Sequence, residues 1–157
     1  MGFEEIYKTY WDRIFRLCMG FVNDYDAAQD LVQETFIIVW QKRDTFRNES
    51  AIGTWIFRIA SNNCLRQIEK QKRFPKSELS IHLSEEKQTS LEPQIQFLYK
   101  CIVELPETER IIISLELEDV KQAEIAKIVG LSEANVRVKI HRIKEKLTQK
   151  FQENGQR

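Results

Sequence analysis

The chain has 157 residues, enough for one domain or two small ones, and its 42% hydrophobic content is ordinary for a folded protein. It carries 24 Lys and Arg against 24 Asp and Glu, and a net charge of zero argues against a simple nucleic-acid binder. No run of about 18 apolar residues exists, and Gly2, Phe3, Glu4 and Glu5 do not open a signal peptide, so no membrane insertion is expected.

The charge is unevenly distributed. Residues 1–41 carry three bases and seven acids, and residues 42–74 eight bases and three acids. Residues 93–135 carry four bases and eight acids, and residues 136–157 seven bases and two acids. An acidic stretch followed by a basic one thus occurs twice, giving two basic surfaces on acidic scaffolds.

Residues 3–21 are predicted to be helical. Phe3, Ile6, Tyr7, Tyr10, Ile14, Leu17, Cys18 and Phe21 recur in steps of three or four and read as a core stripe. Asn23 and Asp24 break the pattern, and either can cap a second helix, which begins with DYDAAQDLVQETFIIVW and runs over 24–43. Its buried face is expected to hold Ala28, Leu31, Val32, Thr35, Phe36, Val39 and Trp40. Asp30, Gln33, Glu34 and Ile37 fall on another side as a patch of two acids, an amide and an exposed aliphatic. Helix statistics alone would make that patch a solvated face. The short loop before it makes the two helices antiparallel neighbours.

Residues 44–53 form the first real loop, in which Arg47, Asn48 and Ser50 offer donors and acceptors. Residues 54–73 read as a third helix, with an apolar stripe of Trp55, Ile56, Ile59, Ala60, Leu65 and Ile68. Arg58, Asn62, Arg66, Lys70 and Arg73 make a second, basic stripe that is either solvated or DNA-facing. Trp55 is expected in the core, with Phe46 or Phe57 as the exposed ring for stacking a base. Residues 75–92, rich in Ser and Glu behind Pro75, read as a linker.

Residues 93–104 form a helix on Ile95, Leu98, Tyr99, Ile102 and Val103, and residues 107–117 form another. A helix over 120–129 follows, with Ala123, Ile125, Ala126 and Val129 as its apolar face. Gly130 can close it in the left-handed conformation. Ser132 can cap a long helix over 132–151 whose core stripe is Val136, Ile140, Ile143, Leu147 and Phe151. Helix, Gly turn, capped helix and a run of bases make a helix-turn-helix pattern.

Three strings carry a family resemblance. DYDAAQDLVQETF resembles the DAEDLVQETF-type signature of the sigma-70 family of RNA polymerase initiation factors, in particular its extracytoplasmic-function (ECF) group. TWIFRIASN resembles that family's TWLYRIARN string, and QAEIAKIVGLSEANVRVKIHRIKEKL resembles its EEIAEILGISEGTVKSRLHRARKKL pattern. Glu118–Asp119 stands where a Gly is common, Ser61 where a base is usual, and Gln29 where an acid is frequent.

The resemblance implies an all-α protein of two small helical domains joined by a linker, the second a four-helix domain with the helix-turn-helix. Residues 1–74 would be sigma region 2, which binds core RNA polymerase and melts the −10 promoter element. Residues 75–92 would be the linker, and residues 93–157 region 4, which reads the −35 element. Asp30, Gln33, Glu34 and Ile37 would dock on a basic coiled coil of the polymerase largest subunit. Arg47, Asn48, Ser50, Arg58, Asn62 and Arg66 would meet the −10 element, whose extracted base needs a snug, hydrogen-bonding pocket. Ser132 would belong to the −35 DNA-binding surface, where Glu133, Asn135, Arg137 and Val138 would face the major groove and Lys139, Arg142 and Lys144 the backbone. An anti-sigma protein is a further partner implied by the family.

The two promoter elements lie roughly 85 Å apart, at about 25 base pairs of ~3.4 Å each, and an extended linker of at most ~60 Å just lets two small domains reach both. In the free protein the halves could instead collapse together. Cys18, Cys64 and Cys101 are odd in number, and His82 and His141 are the only histidines, so neither a disulfide framework nor a metal site is expected. Lack of a disulfide framework and an export signal points to the cytoplasm. No catalytic residues, cofactor or enzyme activity are expected. Two rival readings remain: a helix-turn-helix regulator that needs no polymerase, and a small hydrolase using His82 or His141.

Overall fold

The computed structural model describes residues 2–48, 50–73 and 91–155. Among them all regular structure is helical. The helices are α1 (Phe3–Val22), α2 (Tyr25–Gln41), α3 (Ile52–Arg73), α4 (Pro93–Val103), α5 (Glu107–Leu117), α6 (Gln122–Val129) and α7 (Glu133–Gly155). A short 3-10 turn, Arg43–Thr45, follows α2.

Local chemistry sets the boundaries. Asn23 takes the left-handed conformation at φ 47°, and its N–H donates to the Met19 carbonyl to close α1. The Asp24 carboxylate accepts the Ala27 N–H at 3.0 Å and starts α2. Two residues of connection leave the chain no choice but to turn back, and α1 packs along α2. Ile14, Leu17, Cys18, Phe21, Leu31, Val32, Phe36, Val39, Ile56 and Ala60 are buried between α1, α2 and α3. Thr35 Oγ1 donates to the Leu31 carbonyl at 2.7 Å, and the Asn63 amide donates to that carbonyl at 3.3 Å and to Thr35 Oγ1 at 3.4 Å. This buried polar contact ties α3 to α2.

In the C-terminal half, Pro93 opens α4 and Pro106 precedes α5. Asp119 adopts φ 61°, the left-handed conformation that a glycine would favour. Gly130 closes α6 at φ 75°, its N–H donating to the Ala126 carbonyl at 2.9 Å. Ser132 Oγ accepts the Asn135 N–H at 3.1 Å and caps α7, as expected. Val136, Ile140, Ile143 and Leu147 are buried at regular spacing.

The two halves pack together. α1 lies against α4 and α5, and α3 against α5 and α6, so one apolar cluster runs through both. The expected linker, and its extended state, fall on residues mostly outside the described set.

Six side chains sit differently from expectation. Tyr7 is 41% exposed at the first turns of α1, its ring resting edge-on against Phe36 at 4.9 Å rather than inside the core. Trp40 is 48% exposed in the last turn of α2, where Phe3 meets its ring edge-on and Arg43 covers its face at 3.7 Å. Phe57 is buried rather than free to stack, and Trp55 is half-buried against Phe46 at 5.1 Å. Ile95 and Ala123 are exposed in the first turns of their helices.

Candidate functional site

α2 sets the first surface. Asp30, Gln33, Glu34 and Ile37 are all exposed, Ile37 at 55%, and their three- and four-residue steps align them on one face. The opposite bank of a shallow groove belongs to α3. A cleft of about 440 Å³ is lined by Glu34, Ile37 and Ile38 on one side and by Asn63, Arg66, Gln67 and Lys70 on the other. The surface is therefore acidic and apolar along α2 and basic along α3. Gln67, which sequence reasoning passed over, lines this cleft and the adjoining one beside Asp30. Its only sequence signal is its place one turn beyond Asn63.

The second surface surrounds the loop before α3. Phe46, Arg47, Ser50, Trp55 and Arg58 line a cleft of about 320 Å³ together with Lys127 of α6. Two guanidiniums, a hydroxyl and two rings at one opening suit an extracted base and its phosphate. Asn62 and Arg66 are exposed farther along α3 and line a separate cleft of about 400 Å³. Asn48 does not line the loop cleft; it holds a left-handed turn position at φ 58°. The structure thus joins three of the six expected residues at one opening, puts Asn62 and Arg66 at a separate cleft that adjoins the α2–α3 groove through Ile38 and Arg66, and gives Asn48 a conformational task. Lys127 was not foreseen, because it comes from the other half of the chain.

The third surface is the first half of α7. Glu133, Asn135, Arg137, Val138 and Arg142 are exposed, and Lys139 is half-buried. Ser132 is exposed, its hydroxyl occupied as acceptor of the cap bond. Arg137 lies 4.0 Å from Glu133, and His141 Nε2 lies 2.9 Å from Glu145. Lys144 is not a free cation: its Nζ sits 2.9 Å from Glu116 of α5.

Among the described residues, no group of three or more His, Cys, Asp or Glu could hold a metal. Cys18, Cys64 and Cys101 are buried free thiols. The Cys64 thiol donates to the Cys18 sulfur at 3.9 Å, and this bond and burial push the Cys18 pKa well up, so it is a poor nucleophile. Among the described residues, no helix is long and apolar enough to cross a membrane.

An exposed recognition helix behind a Gly turn, joined to a second helical unit with an acidic face and a basic groove, defines a helix-turn-helix DNA-binding protein with a second interaction module. Residues 6–74 match the family model of sigma-70 region 2, and residues 96–147 that of sigma-70 region 4. The chain is 30% identical to the ECF RNA polymerase sigma-E factor of Escherichia coli, over 96% of this chain and 87% of the relative. It is 25% identical to the ECF RNA polymerase sigma factor SigW of Bacillus subtilis, over 97% of this chain and 90% of the relative. Its fold matches the sigma factor RpoE from Bartonella quintana, solved with the anti-sigma factor NepR. The TM-score is 0.76 at 20% identity, covering 94% of each chain. It also matches CnrH, solved with the cytosolic domain of CnrY, with a TM-score of 0.71 at 21% identity over 96% of this chain and 87% of the other.

The chain belongs to the ECF group of the sigma-70 family of RNA polymerase sigma factors. It is a transcription-initiation factor that works with core RNA polymerase and promoter DNA, and it is not itself an enzyme.

Proposed function

We propose that residues 1–74 form the polymerase-binding and −10-melting unit, residues 93–157 the −35-reading unit, and residues 75–92 the tether between them. Asp30, Gln33, Glu34 and Ile37 dock on a basic helical surface of core polymerase. The observation that carries this reading is their common exposure on one face of α2. Arg47, Ser50 and Arg58 hold the extracted −10 base beside Phe46 and Trp55, and Asn62 and Arg66 guide the strand along α3. Asn48 acts there through its backbone turn. On α7, Glu133, Asn135, Arg137 and Val138 meet base edges, with Ser132 fixing the helix start, while Lys139, Arg142 and Lys144 meet phosphates.

The protein works in the cytoplasm, and an anti-sigma protein holds it inactive. That partner is supported by the two similar sigma factors, whose structures contain NepR and the cytosolic domain of CnrY. The test is a pull-down with core polymerase. Asp30→Lys with Glu34→Lys should abolish binding while the fold survives, since exposed substitutions usually change stability within about 0.5 kcal/mol. Unchanged binding by a folded double variant would sink the assignment of this face.

A further inference from the structure

The end of α2 carries two neighbouring bases in different situations. Arg43 is occupied. Its guanidinium lies 3.7 Å from the centre of the Trp40 ring, and its Nη1 donates to the Trp40 carbonyl at 2.5 Å. It thereby covers an exposed ring and satisfies one of the carbonyls left open at a helix end. Lys42 is held through its backbone alone. Its N–H donates to the Ile38 carbonyl at 2.9 Å, and its own carbonyl accepts the Thr45 N–H at 2.9 Å and the Thr45 hydroxyl at 2.6 Å. Among the described residues, its ammonium makes no ion pair or hydrogen bond.

Those backbone bonds fix where Lys42 stands. It lines, from the α2 side, the cleft of about 400 Å³ that has Asn62, Arg66 and Glu69 on its α3 side. All four side chains are exposed. Cations on two different helices at one opening suit an anionic backbone passing between them, and the Asn62 amide adds a donor. Glu69, three residues beyond Arg66, repels a phosphate, so the backbone belongs at the Lys42–Asn62–Arg66 part of the opening.

The cleft also lies where a strand can reach it. Lys42 lines it while Thr45, three residues on, lines the loop cleft; Ile59 and its neighbour Arg58 divide in the same way. Arg58, Asn62 and Arg66 follow at four-residue steps and span ~12 Å of α3 at ~1.5 Å per residue. That length matches roughly three to four nucleotides at ~3.4 Å each.

We propose that Lys42 grips the sugar–phosphate backbone of the −10 element from the α2 side, opposite Arg66. The cleft is then a two-sided phosphate subsite, distinct from the pocket for the extracted base. Its ligand is a DNA phosphodiester, held by charge and not by sequence, and base reading at this cleft is left to Asn62. The inference rests on the assignment of α3 to the −10 element.

The test uses holoenzyme assembled from core RNA polymerase and the full chain, and purified after assembly so that core loading drops out of the comparison. The probe is a fluorescent promoter duplex around a start site mapped with the wild-type holoenzyme. Lys42→Ala, Lys42→Arg, Arg43→Ala and Arg66→Ala are compared with wild type, after far-UV circular dichroism has established that each chain is folded. Across a salt series, Lys42→Ala should lower the slope of log affinity against log salt by ~0.9, or by ~0.7 where the strand is already single. At the duplex value, the wild-type advantage should shrink about 3.5-fold between 50 and 200 mM salt. Lys42→Arg should keep the wild-type slope, and so should Arg43→Ala, whose side chain is already occupied. Replacing the −10 phosphates one at a time by neutral methylphosphonates should find one position at which wild type and Lys42→Ala bind alike.

Wild-type binding by Lys42→Ala, while Arg66→Ala binds more weakly, would overturn the Lys42 contact and leave the assignment of α3 standing. A Lys42→Ala loss that no single methylphosphonate cancels would overturn the phosphate as its target. An Arg43→Ala slope as low as that of Lys42→Ala would show a diffuse effect of charge and overturn the contact as well. Wild-type behaviour from both Lys42→Ala and Arg66→Ala would count against the −10 assignment of α3 and overturn the proposal with it.

Discussion

Lys144 offers a quantitative test of the recognition helix. Its ammonium is 56% exposed and sits 2.9 Å from Glu116, whose side chain is 17% exposed. A phosphate must compete with that carboxylate for the lysine. Each phosphate neutralised on duplex DNA contributes about 0.9 to the slope of log affinity against log salt. Lys144→Ala should therefore lower the slope by about one contact. Between 50 and 200 mM salt, the wild-type advantage over Lys144→Ala should shrink about 3.5-fold. Glu116→Gln should act in the opposite direction. A partly exposed ion pair of this kind holds on the order of 1 kcal/mol, so freeing the lysine should strengthen DNA binding by up to about fivefold. The assay is fluorescence anisotropy of the full chain on a randomised duplex pool and on a selected −35 duplex, across a salt series. Both duplexes should respond alike. A Lys144→Ala slope equal to wild type, or an effect confined to the selected duplex, would refute the phosphate contact and the rotation assigned to α7.

Arg137→Ala or Asn135→Ala should change the sequences recovered in duplex selection, rather than weaken all of them equally. Phe46→Ala should cost ~1–3 kcal/mol of single-stranded DNA affinity in a binding titration. Phe57→Ala should instead cost ~3–5 kcal/mol of stability in a denaturant melt, because that ring is buried. Lys150, donating to Glu104 at 3.0 Å, holds that carboxyl below its ordinary range. Because the folded value is depressed, the pair stabilises the fold above the ordinary glutamate range and loses its effect as pH falls through the folded value. An NMR titration should find the Glu104 midpoint higher in Lys150→Ala. Deleting residues 83–88 should remove ~20 Å of reach and sharply reduce transcription from normally spaced promoters, with each half still binding its own target.

Periodicity and resemblance were informative where a residue's environment is local. The α2 patch stands out because four residues share a face that no apolar neighbour claims. Ser132 and Gly130 signal a turn and cap through their own backbone and side-chain chemistry. Trp40 misled because an apolar stripe records spacing, not how far its neighbours cover each ring. Phe57 and Trp55 lie two positions apart on α3, and spacing alone did not tell which ring its neighbours cover. The surroundings of Gly20, Lys127 and Lys144 were illegible for another reason. Their decisive partners, Ser114, Arg47 with Arg58, and Glu116, come from distant parts of the chain. Glu118 drew notice only as part of a departure from the family's turn, whereas its burial against Arg13 and Arg16 depends on how the halves meet.

The most direct test of the assigned surfaces is transcription by core RNA polymerase reconstituted with this chain, with transcript 5′ ends mapped across genomic templates. Initiation should occur at discrete sites preceded by two shared sequence elements about 25 base pairs apart, a separation of roughly 85 Å. Arg137→Ala should alter the upstream element, Arg58→Ala should weaken opening at the downstream one, and Asp30→Lys with Glu34→Lys should silence both. Scattered starts without paired elements, or unchanged starts from the Asp30→Lys, Glu34→Lys chain, would contradict it.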